Sequence, residues 1–566
     1  MGKFFLGFAV GVVALGLLAV LMVVVAIKMG SPKPSVPSNA ALVLHLEGDV
    51  PEQAPVDVPI PFLEGQQPMA MAEVWRMLQA AAADSKIKSL VIEPRGLTAG
   101  WAGLEELRAD ILAFKKSGKP VHAYLRGAAT HDYYVATAAD DIYMAPEDEL
   151  DVKGLRAELV YVKGTLDKLG VAMEFEHVGK YKDAPDQFTK TGPSPETLEV
   201  ENQILDQYFG DIVRVIAEGR KKSPEAVRAL IDEGPFVGKS ALDGGLVDGL
   251  MFEDEMYDKF GNPAKISSQS YAKAQTGSAS GKKIALITEE GDITRGGTNE
   301  DVTDSGITVA GSVKTMREVE NDSSIQGVIL RINSPGGDGI ASDDILHEAK
   351  KLSQKKPMVI SMGDLAASGG YFIAMTGDPV VSYANTLTGS IGVFYGRVNL
   401  KGLYDKIGLS KTLLTRGKYA AIDSENGPLT DEQRAKLRKE IEGFYSGFVQ
   451  RVADGRKRKY DEVEPLAQGR VWLGSQAKGN GLVDEIGGLD RAVELVKQRA
   501  KIGAAEKVTL VTYPPKRSLL ELILNRGGGD SSEVESKIRS IFGKLPVRAL
   551  AQGGVMRLMP FTIEVK

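Results

Sequence analysis

Lys163-Gly-Thr-Leu-Asp-Lys-Leu-Gly170 returns as Lys401-Gly-Leu-Tyr-Asp-Lys-Ile-Gly408, 238 residues further along the chain. The same offset aligns Gly179-Lys180-Tyr181 with Gly417-Lys418-Tyr419, Ala128-Ala129 with Ala366-Ala367, Tyr133 with Tyr371, and Asp140 with Asp378. Gly245-Leu-Val-Asp248 matches Gly481-Leu-Val-Asp484 at an offset of 236. Self-similarity held over this distance marks a tandem duplication. The halves span 41–266 and 283–500, and the Ser/Ala/Gly-rich stretch 267–282 reads as a linker. Residues 501–566 form a C-terminal extension to which the sequence assigns no role.

Each half opens with a short apolar strand, Ala41 to Leu46 or Ile284 to Ile287, and continues with a second, Ser89 to Ile92 or Gly327 to Ile332. A helical segment follows, then a third strand at Val121 to Leu125 or Met358 to Met362. Strands alternating with helical segments imply parallel βαβ units, so both halves are expected to be α/β domains. The amphipathic segments Pro195 to Glu218 and Thr430 to Gly455 start with Ser194-Pro-Glu and Thr430-Asp-Glu, helix-start signatures that suit packing or interface helices.

The 566 residues, 43% hydrophobic and 25% charged, suit several globular domains. A net charge of −6, with no basic run beyond Arg456-Lys457-Arg458-Lys459, argues against a nucleic-acid partner. The absence of cysteine removes disulfides, thiol catalysis and cysteine-ligated metals, and the five histidines are scattered, so no metal or cofactor is expected. Phe4 to Ile27 is uncharged and almost wholly apolar, long enough as a helix to cross a hydrocarbon core of about 30 Å. Residues 1–30 are therefore expected to anchor the chain in a lipid bilayer through 4–27, with the Pro/Ser-rich stretch 31–40 as a tether.

Positions that differ between the copies are candidates for specialised chemistry. Ser368-Gly369-Gly370, at the junction of a strand and a helix, faces Thr130-His131-Asp132 in the first half. A hydroxyl at a helix start sits among unpaired backbone N–H groups that favour developing negative charge. Conversely, Lys182 of Gly-Lys-Tyr-Lys-Asp faces Ala420. Asn333-Ser-Pro-Gly-Gly337, directly after a strand, faces Arg95-Gly-Leu-Thr-Ala99 and has paired glycines whose N–H groups can approach a ligand closely. Taken singly, each has a bland reading as an N-cap, a surface lysine or a Pro-Gly turn.

Together with Thr386-Leu-Thr-Gly-Ser-Ile-Gly392, these motifs resemble the long, duplicated form of the signal peptide peptidase A (protease IV) family, over roughly residues 1–500. The resemblance implies two Clp-protease/crotonase-like α/β domains after one transmembrane helix, and a serine peptidase with a Ser/Lys dyad. It implies Ser368 as nucleophile, Lys182 as general base, Ser390 as a support for the lysine, and the N–H groups of Gly337 and Gly369 as the oxyanion hole. It further implies apolar peptide substrates such as released signal peptides, cleaved through an acyl-enzyme, a homotetramer, and a bacterial inner membrane with the catalytic domains on its outer face. Asp338 and Asp183 depart from the family pattern beside the site. A free lysine titrates at about 10.4, so such a dyad needs a dry, enclosed site that disfavours the ammonium. A Ser/His/Asp triad is disfavoured, because the second half holds only His347 and no histidine follows Ser368. From another class, the chain could be an inactive membrane-tethered scaffold.

Overall fold

The computed structural model describes residues 33–53, 68–275, 281–296, 306–515 and 554–559. The expected anchor over 4–27 lies outside the described residues, among which no helix is long and apolar enough to cross a membrane.

In the first half, β1 (Ala40–Glu47), β2 (Ile87–Arg95), α1 (Trp101–Lys115), β3 (Val121–Leu125), α2 (Thr130–Ala136) and β4 (Asp141–Met144) alternate as expected. Then come β5 (Ala172–Val178), α3 (Pro195–Arg220), β6 (Gly249–Leu250), β7 (Ala264–Ser267) and α4 (Ser268–Gln275). A parallel sheet forms in the order β7-β1-β2-β3-β4-β6. The strands carry near-continuous apolar runs, such as the fully buried Val121–Leu125, because helices cover both faces of a parallel sheet. α4 begins inside the stretch expected to be linker. Its Tyr271 is fully buried in the first core and donates to Asp84 Oδ2 at 3.1 Å, so the first domain extends to Gln275.

The second half contains β8 (Lys282–Glu290), β9 (Ile293–Thr294), β10 (Ile307–Thr308), β11 (Ile325–Ser334), β12 (Gly336–Asp338), α5 (Gly339–Lys355), β13 (Met358–Ala367) and α6 (Gly369–Ile373). It continues through β14 (Leu387–Gly389), β15 (Val393–Asn399), α7 (Asp431–Arg456) and β16 (Val471–Leu473) to β17 (Val508–Tyr513), and β18 (Gly554–Leu558) lies near the C-terminus. The main path of the sheet is β16-β14-β13-β11-β8-β17, with only β16 antiparallel. The domain therefore does not end at 500. β17 pairs with β8 from Lys282↔Val508 to Ile287↔Tyr513, covering an edge that would otherwise leave backbone groups unpaired, as β7 covers β1.

A third sheet joins the halves in the order β10-β9-β12-β18-β15-β5. β5 belongs to the first half, yet it pairs antiparallel with β15 of the second from Ala172↔Asn399 to Val178↔Val393. Charges reinforce this seam. Glu174 is bonded to Arg397 and, at 2.6 Å, to Arg434, while Glu176 meets Arg438 at 2.8 Å. A second seam sets the Asp364 carboxylate at the start of α1, where it accepts from the N–H groups of Gly103 at 2.7 Å and Gly100 at 3.2 Å. Behind it, the buried Arg331 spans Glu52 at 2.6 Å and Glu106 at 2.5 Å. Removing one partner of that buried group would strand a charge, so it binds the halves in a fixed relation.

Candidate active site

β13 carries the chain into Ala366-Ala367 and stops at Ser368, which adopts φ 54° and ψ −113° before α6 begins at Gly369. Backbone bonds hold the turn. Ser368 N–H donates to Gly389 O at 2.8 Å, and Ser368 O accepts from Phe372 N at 2.8 Å. The Asn333-to-Gly337 loop lies against it, since a Cβ on Gly370 would stand 2.6 Å from Ser334 O. Gly337 in β12 has φ 155°, and a Cβ there would stand 2.1 Å from Ile293 O, so this close strand approach requires glycine.

Lys182 reaches this turn from the other half. It follows β5 by four residues, and the seam between β5 and β15 aims it at the second domain. Lys182 and Ser368 are both fully buried. Lys182 Nζ lies 2.8 Å from Ser368 Oγ, 2.9 Å from Ser390 Oγ and 3.2 Å from Ser390 O. The three side chains singled out in the sequence thus meet within hydrogen-bond distance, and the two glycine N–H groups belong to elements that flank them.

One element of this geometry escaped the sequence reading: the turn Gln468-Gly469-Arg470. Tyr181 N–H donates to Gln468 O at 2.8 Å, Gly469 N–H to Ile391 O at 2.8 Å, and Ser390 N–H to Arg470 O at 2.7 Å. The turn therefore bonds the lysine segment on one side and the Ser390 segment on the other. Gly469 has φ 77°, and a Cβ there would stand 2.6 Å from both the N and the Cβ of Lys182. Arg470 completes the support by stacking on Tyr181 and Trp472 at 4.8 and 4.6 Å and donating to Glu199 at 2.6 Å. The signal was present in the repeat: the offset of 236 sets Asp232-Glu233-Gly234 opposite Gln468-Gly469-Arg470.

The two acidic departures have structural roles. Asp338 caps α5, accepting from Ile340 N at 2.9 Å and Ala341 N at 2.8 Å, and pairs with Arg295 at 2.9 Å. Asp183 accepts from the Thr197 hydroxyl of α3, and burial pushes its carboxyl up to about 6. Nearby Glu201 has no hydrogen-bond partner for either oxygen, and burial, with Asp183 adding to it, pushes it up to about 8. His347 is exposed on α5.

Residues 113–267 and 350–503 match the sequence profile of Peptidase family S49, and residues 287–388 that of Clp protease. A chloroplastic protein of Arabidopsis thaliana named "Serine protease SPPA" is 31% identical over 530 residues, which cover 91% of this chain and 77% of that one. "Protease 4" of Haemophilus influenzae is 32% identical over 530 residues, covering 86% of this chain and 84% of its own, and "Protease 4" of Salmonella typhi is 31% identical over 480 residues, covering 81% and 76%. With two such matched segments on two parallel-sheet domains, the chain belongs to peptidase family S49 in its duplicated SppA/protease 4 form and is a serine peptidase.

Proposed function

We propose that the chain is an endopeptidase working through a Ser368/Lys182 dyad, and the observation that carries this reading is the 2.8 Å contact between Lys182 Nζ and Ser368 Oγ in a buried site. Burial disfavours the ammonium form of a lysine, and the neutral amine is the form that can accept a proton. Lys182 removes the Ser368 proton as Oγ attacks the scissile carbonyl, and the oxyanion is received by the N–H groups of Gly337 and Gly369. The protonated lysine gives its proton to the leaving amine, freeing the C-terminal product. Water, deprotonated by Lys182, then attacks the acyl-enzyme, and the proton returns to Ser368. Ser390 orients the amine throughout by its hydroxyl and carbonyl.

The substrates are apolar peptides such as released signal peptides. The apolar segment 4–27 anchors the enzyme in the bacterial inner membrane with its catalytic domains on the outer face, and the working form is a homotetramer. Family membership and the sequence of that segment support this part of the reading.

The test is turnover of an apolar peptide by full-length Ser368→Ala and Lys182→Ala in detergent. Each is expected to lose at least about 10,000-fold in kcat with a melting transition like that of the parent. Wild-type turnover in either variant overturns the dyad. A serine-directed acylating probe that fails to label Ser368 in the parent would instead favour the inactive scaffold.

A further inference from the structure

Lys182 opens the buried run Lys182-Asp-Ala-Pro-Asp186 and has an acid as its immediate neighbour. Asp183 is 8% exposed; one carboxylate oxygen accepts from the Thr197 hydroxyl near the start of α3, and the other is buried without a hydrogen-bond partner. Glu201 stands one turn further along α3, 3% exposed, with neither oxygen partnered. Positions i and i+4 share a helix face, so Glu201 lies on the face that Thr197 turns to Asp183. The other titratable groups around the pair are Tyr161, Tyr208 of α3 and Asp186, which is bonded to Lys190 at 2.7 Å. On the side of the 468–470 turn, Arg470 is paired with Glu199 at 2.6 Å. Those cations are engaged elsewhere, and the cation whose charge acts on Asp183 is Lys182.

The sister copy has none of this. At the matching positions Lys182-Asp183 faces Ala420-Ala421, Thr197 faces Gln433 and Glu201 faces Leu437. A group needed by the fold is expected in both copies, whereas these acids occur in the copy that supplies the lysine. Burial alone makes a lysine neutral but also a weak base, because the ammonium it must form is disfavoured. One nearby carboxylate offsets that cost when the serine proton arrives; a second would hold the ammonium and stop the cycle. Burial, with Asp183 adding to it, keeps Glu201 protonated up to about 8, while Asp183, lifted only to about 6, is ionised at neutral pH. The pair then carries a single charge.

We propose that Asp183 is a positioning residue for Lys182: its carboxylate, tied to α3 through Thr197, supplies the negative charge against which Lys182 takes up the serine proton, and Glu201 stays protonated beside it to keep that charge single. The proposal rests on the dyad reading. The proton itself passes only between Ser368, Lys182 and the leaving amine, and Asp183 keeps its charge throughout.

The test uses the full chain in detergent. Asp183→Asn keeps an acceptor for Thr197 and removes the charge, so it separates anchoring from electrostatics. The acidic limb of its kcat/KM profile is expected to move to lower pH by about one unit, the scale on which one nearby charge acts, and the plateau to fall about tenfold. A limb that stays in place in a variant that melts cooperatively overturns the proposal. In the infrared, a carboxylic-acid band present at pH 7 in the parent is expected to vanish in Glu201→Gln, and to titrate out at lower pH in Asp183→Asn than in the parent. Absence of that band in the parent also overturns the proposal, and this measurement decides if Asp183→Asn does not fold. Turnover by Lys182→Ala would break the dyad reading, whereas loss of turnover there with an unmoved limb in Asp183→Asn would break this proposal alone.

Discussion

The turn after the third strand of each sheet exists twice in this molecule, once relaxed and once strained. In the first half, Ala129 is extended (φ −97°) and leads directly into α2, and the Asp132 carboxylate accepts from Leu97 N at 3.0 Å and Ala129 N at 2.9 Å. The loop and turn that could have faced a ligand are satisfied from within. In the second half, Ser368 takes φ 54°, a backbone region that side chains other than glycine rarely occupy, and Lys182 from the sister domain meets its hydroxyl. One copy has a relaxed junction, and the other a strained one. The difference teaches that the duplicated halves diverged at matching positions, and that Lys182 from one half and Ser368 from the other come into contact across them.

The largest effect expected from that division concerns transplantation. Replacing Thr130-His131-Asp132 by Ser-Gly-Gly in a Ser368→Ala background should leave the chain inactive, at least about 10,000-fold below the parent in peptide turnover, because Lys182 is directed to the other half. Measurable activity there would collapse the comparison.

A smaller loss tests the connection between the halves. Gly469→Ala pushes a methyl group into Lys182 and is expected to cost about 100-fold in kcat with KM nearly unchanged, since a displacement of about 1 Å of a reacting group has that effect. Its melting temperature should fall far less than its rate. Equal loss of rate and stability would mean that the turn serves only folding.

Glu201 sharpens the comparison on the stability side. The offset between α3 and α7 places it opposite Leu437, so a buried, unpartnered carboxyl stands where the sister helix has a core side chain. Glu201→Leu is expected to stabilise the protein by about 1–3 kcal/mol in chemical denaturation at pH 8. Because burial lifts this acid to about 8 in the folded chain, the folded state binds the proton more tightly. Its destabilisation therefore grows as pH rises from the ordinary glutamate range towards 8, and the variant should flatten that slope. An unchanged slope would assign the pH dependence to other groups.

A stability effect of the same order belongs to the strain itself. Ser368→Gly should raise stability by about 1–3 kcal/mol, the cost of holding a side chain at that φ, while abolishing turnover. The matching change Thr130→Gly should not stabilise, because the first turn carries no such strain.

Much of this contrast was legible in the chain. The repeated Lys-Gly-x-x-Asp-Lys-x-Gly segment exposed the duplication, the strands of the inner sheets appeared as apolar runs, and Ser368 and Lys182 stood out because each lacked a copy. The C-terminal boundary was missed because β17 is recruited by an open strand edge, and such an edge accepts the backbone of many sequences. α4 was missed because a Ser/Ala/Gly composition reads as linker until Tyr271 is seen buried in the core. Gly469 was overlooked because a single glycine in a turn has no periodic pattern.

By itself the sequence determined the two-fold repeat, the α/β class and the residues that differ between copies, because these are properties of spacing and local composition. Tertiary structure alone decided that Lys182 and Ser368, 186 residues apart, touch, that the turn 468–470 fastens one to the other, and that the terminal strand lies beside Gly337. The strand pairings that bring these segments together form through backbone N–H and C=O groups from different parts of the chain. Every residue but proline carries both groups, so the sequence bears no local mark of which strands will pair.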